Sequence, residues 1–333
     1  MIIILLLNMS IVVIVEPKDD KRFSKSAFEA VCFGFQLSQK EKKNFTVITI
    51  GDVHRDTLSE LAKYGASNMI NYSIDQNTHF DSTLYANAVQ RGINKMFADI
   101  VIFSKNNVSD DVAPHLAARN MAGLATSVVG QPEIVYSGFY VRRNVYSGKA
   151  VVKSKISGDL KILTIQPNSI DLVESETKAE ITILENGIES ADVNTKLISS
   201  TQSESKIPLS DAEIVVSGGR GLKGPENWNM LNEMAELLQG AQACSKPVSD
   251  SNWRPHSEHV GQTGTKVRPN LYVAVGISGA IQHIAGINGS RCIIAINTDA
   301  DAPIFKVATY GIIGDAFEII PKMNDAIKNI VKS

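Results

Sequence analysis

A chain of 333 residues with 44% hydrophobic and 20% charged content has an ordinary globular composition and enough length for two domains. Its formal charge of -2 and isoelectric point near 6.3 leave no basic excess for a phosphate backbone, which argues against nucleic acid as a partner. Three cysteines, Cys32, Cys244 and Cys292, form no CxxC pair and no cluster with histidines, which argues against a disulfide framework or a metal site and for a reducing compartment.

In chain order, Met1 to Leu7 is apolar but lacks a basic flank, and Asn8 ends it well short of the ~20 residues that cross a bilayer. It is not an Arg-rich presequence either, so a bacterial cytoplasm is expected rather than a mitochondrial matrix, with no membrane insertion. Met9, Ser10 and the strand-like Ile11 to Val15 read as the natural beginning, with the first eight residues an upstream start or short tail.

From Ile11 to Val129, β-branched runs alternate with helical stretches. Strands are expected at Ile11 to Val15, Phe45 to Ile50, Asp99 to Phe103 and Leu124 to Val129, and helices at Ser24 to Lys40, Thr57 to Tyr64 and Asp111 to Met121. The alternation predicts a mostly parallel sheet covered on both faces. Glu16-Pro17-Lys18-Asp19-Asp20 stands where a phosphate-binding glycine loop would follow the first strand, so this half has a nucleotide binder's architecture without its fingerprint.

Between Glu133 and Leu184, turn signals at Tyr146 to Lys149 and Ser157 to Asp159 predict antiparallel hairpins on that domain's edge. Asn186 to Leu209, rich in Ser, Thr, Glu and Lys, reads as an interdomain linker, giving domains of 1–208 and 209–333. The second domain alternates again. Strands are expected at Ala212 to Ser217, Leu271 to Val275 and Cys292 to Ile296, and helices at Glu226 to Leu238, Ala280 to Ala285 and Asp325 to Val331. The fold class is therefore α/β, two doubly wound domains, the second Rossmann-like.

Gly218-Gly219-Arg220-Gly221 and Gly276-Ile277-Ser278-Gly279 sit where strands feed helices, which would aim backbone N–H groups and positive helix ends at one volume. Either turn alone is as readily explained by packing, but two of them with Arg220, a fork donor, favour a nucleotide phosphate. Val260-Gly261-Gln262-Thr263-Gly264 is either a surface turn or a set of short donors against a flat ligand. His283, five residues into a helix expected to start at Ser278, is either a satisfied core histidine or a donor to developing negative charge. His256 and His259 flank Glu258 behind Pro255 and read as a solvated loop without a metal.

Beyond these local patterns, the run Pro269 to Gly286 closely resembles the C-terminal signature of electron transfer flavoprotein alpha subunits. The resemblance continues through Ala295 to Asp299, Ala302 to Phe305 and Tyr310 to Asp315, and reaches back through Val260 to Gly264 and Gly218 to Lys223. It is strong over Val215 to Pro321 and loose before that. The resemblance implies one FAD held mainly by the C-terminal domain, with a smaller beta subunit completing a heterodimer. It implies electrons taken from flavin dehydrogenases, such as those oxidising acyl-CoA in fatty acid beta-oxidation, and passed to a quinone oxidoreductase.

By the same resemblance, Arg220, Ser245, Val260, Gly261, Gln262, Thr263 and the run Ser278, Gly279, Ala280, Ile281, Gln282, His283 contact the pyrophosphate, ribityl chain or ring. Asn297, Asp315 and Ala316 belong to the adenosine end. Thr263 would donate near flavin N5, and His283 would face the N1–C2=O edge, where a donor favours negative charge on the reduced ring. Lys246 stands where many members carry arginine, so a compact ammonium replaces a planar fork near the ring. Two relatives of this reading stay open: an electron-bifurcating, NADH-linked flavoprotein and a non-redox nucleotide binder. A nicotinamide dehydrogenase would need a G-x-G-x-x-G after an early strand and an acidic residue ~20 positions on, and the first strand lacks it.

Overall fold

The computed structural model describes residues 9–18, 21–73, 80–146, 150–175, 177–184, 198–199, 208–209 and 212–331. The first eight residues and nearly all of the expected linker lie outside the described residues. The chain divides into two compact units, one of residues 1–145 and 149–200, the other of residues 146–148 and 201–333.

In the first unit, β1 (Ser10–Val15), β2 (Asn44–Ile50), β3 (Asn68–Tyr72) and β4 (Ala98–Ser104) run parallel in the order β3-β2-β1-β4. β1 is buried at every position because helices cover both sheet faces, which is why its sequence is continuously β-branched rather than alternating. Ile11, Val13 and Val15 share one core with α1 (Lys25–Glu41) and α2 (Arg55–Glu60). Val12 and Ile14 share the other with α3 (Ser82–Met96) and α4 (Asn107–Asn120). Side chains placed to accept the first orphan N–H groups start these helices: Ser24 for α1, Asp81 for α3, and an Asn106–Ser109 capping box for α4.

The region expected to form only edge hairpins does more than that. β6 (Glu133–Val135), β7 (Gly138–Val145) and β8 (Ala150–Ile156) are the antiparallel edge, reached from β5 (Gly123–Val128). However, β9 (Lys161–Ile165) inserts between β4 and β5, parallel to both, and β10 (Glu180–Leu184) pairs with β3 at the opposite edge. Ile162, Leu163, Thr164 and Ile165 are all buried, as an interior strand requires. The turn signals correctly mark where the chain reverses but carry no information about which strand it rejoins.

The second unit is a wholly parallel sheet of β11 (Ile214–Gly218), β12 (Ala241–Cys244), β13 (Leu271–Val275), β14 (Cys292–Asn297) and β15 (Tyr310–Ile313), in the order β12-β11-β13-β14-β15. α5 (Asn229–Leu237), α6 (Lys246–Asp250) and α8 (Ala316–Val331) pack on one face, α7 (Ile281–Ile287) on the other. α8 begins at Ala316 rather than Asp325 because the Asp315 carboxylate accepts the Phe317 N–H at 3.0 Å and caps it. The strand order reverses between β11 and β13, so connections leave in opposite directions there and open a crevice outside the carboxyl ends of the two strands.

Phe103 in β4 is fully buried in the core shared with α3 and α4. Phe103→Ala is expected to destabilise the first unit by about 3–5 kcal/mol, seen as a lower urea midpoint for that unit. An unchanged midpoint would contradict the placement of β4 at the sheet's centre.

Candidate functional site

The loops after β11 and β13 touch backbone to backbone. The Gly219 N–H donates to the Val275 carbonyl at 2.8 Å and the Gly221 N–H to the Gly276 carbonyl at 3.0 Å. A Cβ on Gly219 would fall 2.2 Å from the Gly276 oxygen, and one on Gly279 would fall 2.4 Å from the Ile304 nitrogen. Gly276 and Gly279 also hold φ of +62° and +86°, a region that side chains disfavour.

This corrects the expectation that both glycine turns aim their N–H groups at a ligand. In the first turn the Gly219 and Gly221 N–H groups are committed to β13 and its loop, and the chain passes through two short 3-10 turns, Arg220–Leu222 and Pro225–Trp228, before α5. The second turn keeps the expected character, although its helix starts at Ile281 rather than Ser278. The N–H groups of Ser278 through His283 have no backbone acceptor among the described residues.

Residues 259–265 form the third wall. Val260 N–H reaches the Cys244 carbonyl at 3.0 Å, Thr265 N–H the His259 carbonyl at 2.8 Å, and Gln262 N–H the Gln282 carbonyl at 2.8 Å, tying the loop to β12 and α7. Arg254 anchors its approach by a bidentate fork to Glu258, at 2.6 and 2.7 Å, while its guanidinium lies 5.6 Å from the Trp228 ring centroid.

Together the three loops enclose a cavity of about 500 Å³, within the usual range for small-molecule sites. Of the residues singled out in the sequence, Arg220, Ser245, Lys246, Val260, Gly261, Thr263, Ser278, Gly279, Ala280, Gln282, His283 and Asn297 line it. Four do not. Gln262 contributes a backbone bond, the Ile281 side chain is 81% exposed, Asp315 caps α8, and Ala316 lies in the core beneath that helix. Asn297 lines the cavity but also clamps it, its Nδ2 donating to the Ile277 carbonyl and its Oδ1 accepting from the Asp299 N–H. Ser245 is buried, with a hydroxyl that makes no capping bond to α6.

His259, read from the sequence as solvated, is instead 2% exposed and lines the cavity. Its position directly before the Val260–Gly264 turn was the available signal. Exposed His256 lies beside it, ring centroids 5.4 Å apart. Burial, then the charge of His256, pushes the His259 pKa down. His283 is 6% exposed, and burial takes its pKa down to about 4 against the nearby Val260 carbonyl. Both imidazoles are therefore neutral near pH 7, and the Nδ1 of each is buried without a hydrogen-bond partner. The charged side chains of the lining are Arg220 and Lys246, and it contains no carboxylate.

A basic, glycine-walled cavity at the switch point of a parallel sheet, with unpartnered imidazole nitrogens in its wall, defines a nucleotide-cofactor domain whose cofactor carries anionic and hydrogen-bonding groups. A family model described as the electron transfer flavoprotein FAD-binding domain matches residues 208–288, and one described as the electron transfer flavoprotein domain matches residues 11–188. The electron transfer flavoprotein alpha subunit of Bacillus subtilis is 32% identical over 93% of this chain and 95% of its own length. That of Syntrophomonas wolfei is 36% identical over 88% and 94%, and the mitochondrial one of Dictyostelium discoideum 38% identical over 67% and 64%. The chain belongs to the electron transfer flavoprotein family, as an alpha subunit, and FAD is its cofactor.

Gly279→Ala would set a side chain against Ile304 at positive φ. The expected cost is about 1–3 kcal/mol, with FAD bound at least about tenfold more weakly, measured by thermal unfolding and FAD titration. His283 gives a pH prediction with a definite sign. Its pKa is about 4 folded against 6.5 unfolded, so the unfolded chain binds the extra proton across that interval. Stability is therefore lost as pH falls from 6.5 toward about 4, by about 3 kcal/mol from this residue. His283→Gln should flatten that part of the curve, read from urea midpoints of the flavin-free chain; an equally steep loss in the variant would refute the assignment.

Proposed function

We propose that this chain pairs with a smaller beta subunit as a heterodimeric electron carrier. Its electrons come from flavin dehydrogenases, including those oxidising acyl-CoA, and leave to a quinone oxidoreductase. The observation that carries this reading is the chemistry of the cavity: two cationic side chains, two neutral imidazoles and short hydroxyl donors, with no carboxylate or thiol in the wall to turn over a substrate. Cys244 lies beneath α5 and α6, and burial pushes its thiol up to about 12, which removes it as a nucleophile.

Bound FAD supplies the redox chemistry. Of the chain's own groups, Arg220 and Lys246 offset the charge of the pyrophosphate and of the reduced ring, Arg220 as a fork and Lys246 as a point charge. Thr263 and Ser245 offer hydroxyl donors to the ring and ribityl chain, and the free N–H groups of Ser278 to His283 offer further donors. His283 would offer a neutral donor to the ring's N1–C2=O edge. Asn297 and Asp315 serve the adenosine end, Asn297 in part by holding the Ile277 loop.

The proposed compartment is a bacterial cytoplasm, in keeping with the three free cysteines and the bacterial relatives. No helix among the described residues is long and apolar enough to cross a membrane.

The test is a visible spectrum of the chain co-expressed with its beta subunit, recorded during stepwise dithionite addition. A flavin band that bleaches in two one-electron stages is expected, and mixing the reduced complex with a quinone oxidoreductase should restore it. A colourless complex would sink the reading.

A further inference from the structure

Next to the cavity, three polar side chains from two strands and a helix form a buried column. Tyr272 of β13 is 0% exposed, and its hydroxyl lies 3.0 Å from His283 Nε2. Ser217 of β11 is also fully buried beside the Tyr272 phenol, and its hydroxyl has no hydrogen-bond partner. Register pairs Val215 with Tyr272 and Ser217 with Ala274, so both polar side chains stand on the sheet face that α7 covers. Apart from this column, that face is apolar, and nothing about the packing of Ala274, Val215 and Ile287 calls for a phenol there.

We propose that Tyr272 is a positioning residue that fixes His283 as its Nδ1–H tautomer, so that a neutral imidazole with one defined donor borders the cavity. This rests on the reading of the cavity as the FAD site.

Donors and acceptors along the column discriminate between two proton arrangements. The protons can run in either direction. If Nε2 carries the imidazole proton, it donates to the phenol, whose own proton is then buried beside a Ser217 hydroxyl that hydrogen-bonds to nothing, and the Nδ1 lone pair is left near the Val260 carbonyl, a second acceptor. If instead Tyr272 donates to Nε2, the phenol proton has its acceptor, and Nδ1 carries a proton rather than a lone pair on that side. The second direction satisfies the phenol and sets no lone pair against a carbonyl. Burial also keeps the phenol protonated, since it pushes the Tyr272 pKa up, so its proton is always available to Nε2.

The tautomer matters because the two imidazole forms present opposite faces to a ligand, a hydrogen-bond donor or a lone pair. Of the groups facing this pair, His259 is also uncharged near pH 7 and Cys244 is held as a thiol, so neither imposes a different proton arrangement.

The experiment is two-bond ¹H–¹⁵N correlation of ring nitrogens in the histidine-labelled full chain, with and without FAD, His283 being assigned by its loss in His283→Gln. The expected wild-type pattern is a protonated Nδ1 and an unprotonated Nε2. In Tyr272→Phe, which keeps the ring's volume, the pattern is expected to shift to a mixture of tautomers, with FAD dissociating about fivefold more readily, the effect of one ordinary hydrogen bond. A protonated Nε2 in the wild type, which requires no variant to fold, would overturn the proposal, as would an unchanged pattern in Tyr272→Phe. Failure of the flavin-free chain to take up FAD would count against the site reading instead, because the tautomer is measured without the cofactor as well.

Discussion

Everything at the site depends on how closely two backbone loops approach. Gly219 and Gly221 lie against Gly276 with no side chain between them, and two N–H···O bonds join the loops. That contact brings the carboxyl ends of β11 and β13 together where the strand order reverses. Without it the crevice would fill with side chains, and the walls contributed by residues 259–265 and 278–283 would have nothing to close against. The positive φ at Gly276 and Gly279 is the conformational side of the same constraint: the second loop must turn sharply to reach the first.

On this frame the site's electrostatics follow from burial. Desolvation keeps His259 and His283 uncharged, so the positive charge of the lining comes from Arg220 and Lys246. A histidine that stays neutral in the resting state offers a dipole rather than a fixed charge. Negative charge arriving beside it is stabilised by a donor that the fold has already oriented, and no proton has to be taken up first. Lysine at position 246 adds charge without a planar fork, so it supports the cavity's potential but imposes little geometry.

Much of this was legible in the sequence, for identifiable reasons. Strands buried on both faces declare themselves as runs such as Ile11 to Val15, and turns forced by close backbone approach declare themselves as glycines. What was not legible involves partners distant in the chain. Lys161 to Ile165 has the composition of an interior strand, yet nothing local says that it enters between β4 and β5. His259 was misread because proline and glycines nearby signal a loop, while its burial is set by Cys244 and Gln282 from other elements. Asp315 was singled out for the adenosine end; its carboxylate also caps α8, a local use that a capping position next to a helix start could have revealed.

The two units also show why a doubly wound sheet is not by itself a nucleotide site. The first unit has the order β3-β2-β1-β4 and hence its own switch point between β1 and β4. Glu16, at the end of β1, accepts a hydrogen bond there from Asn106 at the start of α4, and its charge joins burial in pushing Tyr85 up to about 12. A carboxylate hydrogen-bonded across this crevice repels the anionic group that a glycine turn would otherwise receive. The second unit puts Arg220 and backbone glycines in the corresponding place. The same architecture therefore carries a carboxylate after one strand and a guanidinium after the other, and the difference lies in the first few residues after a single strand.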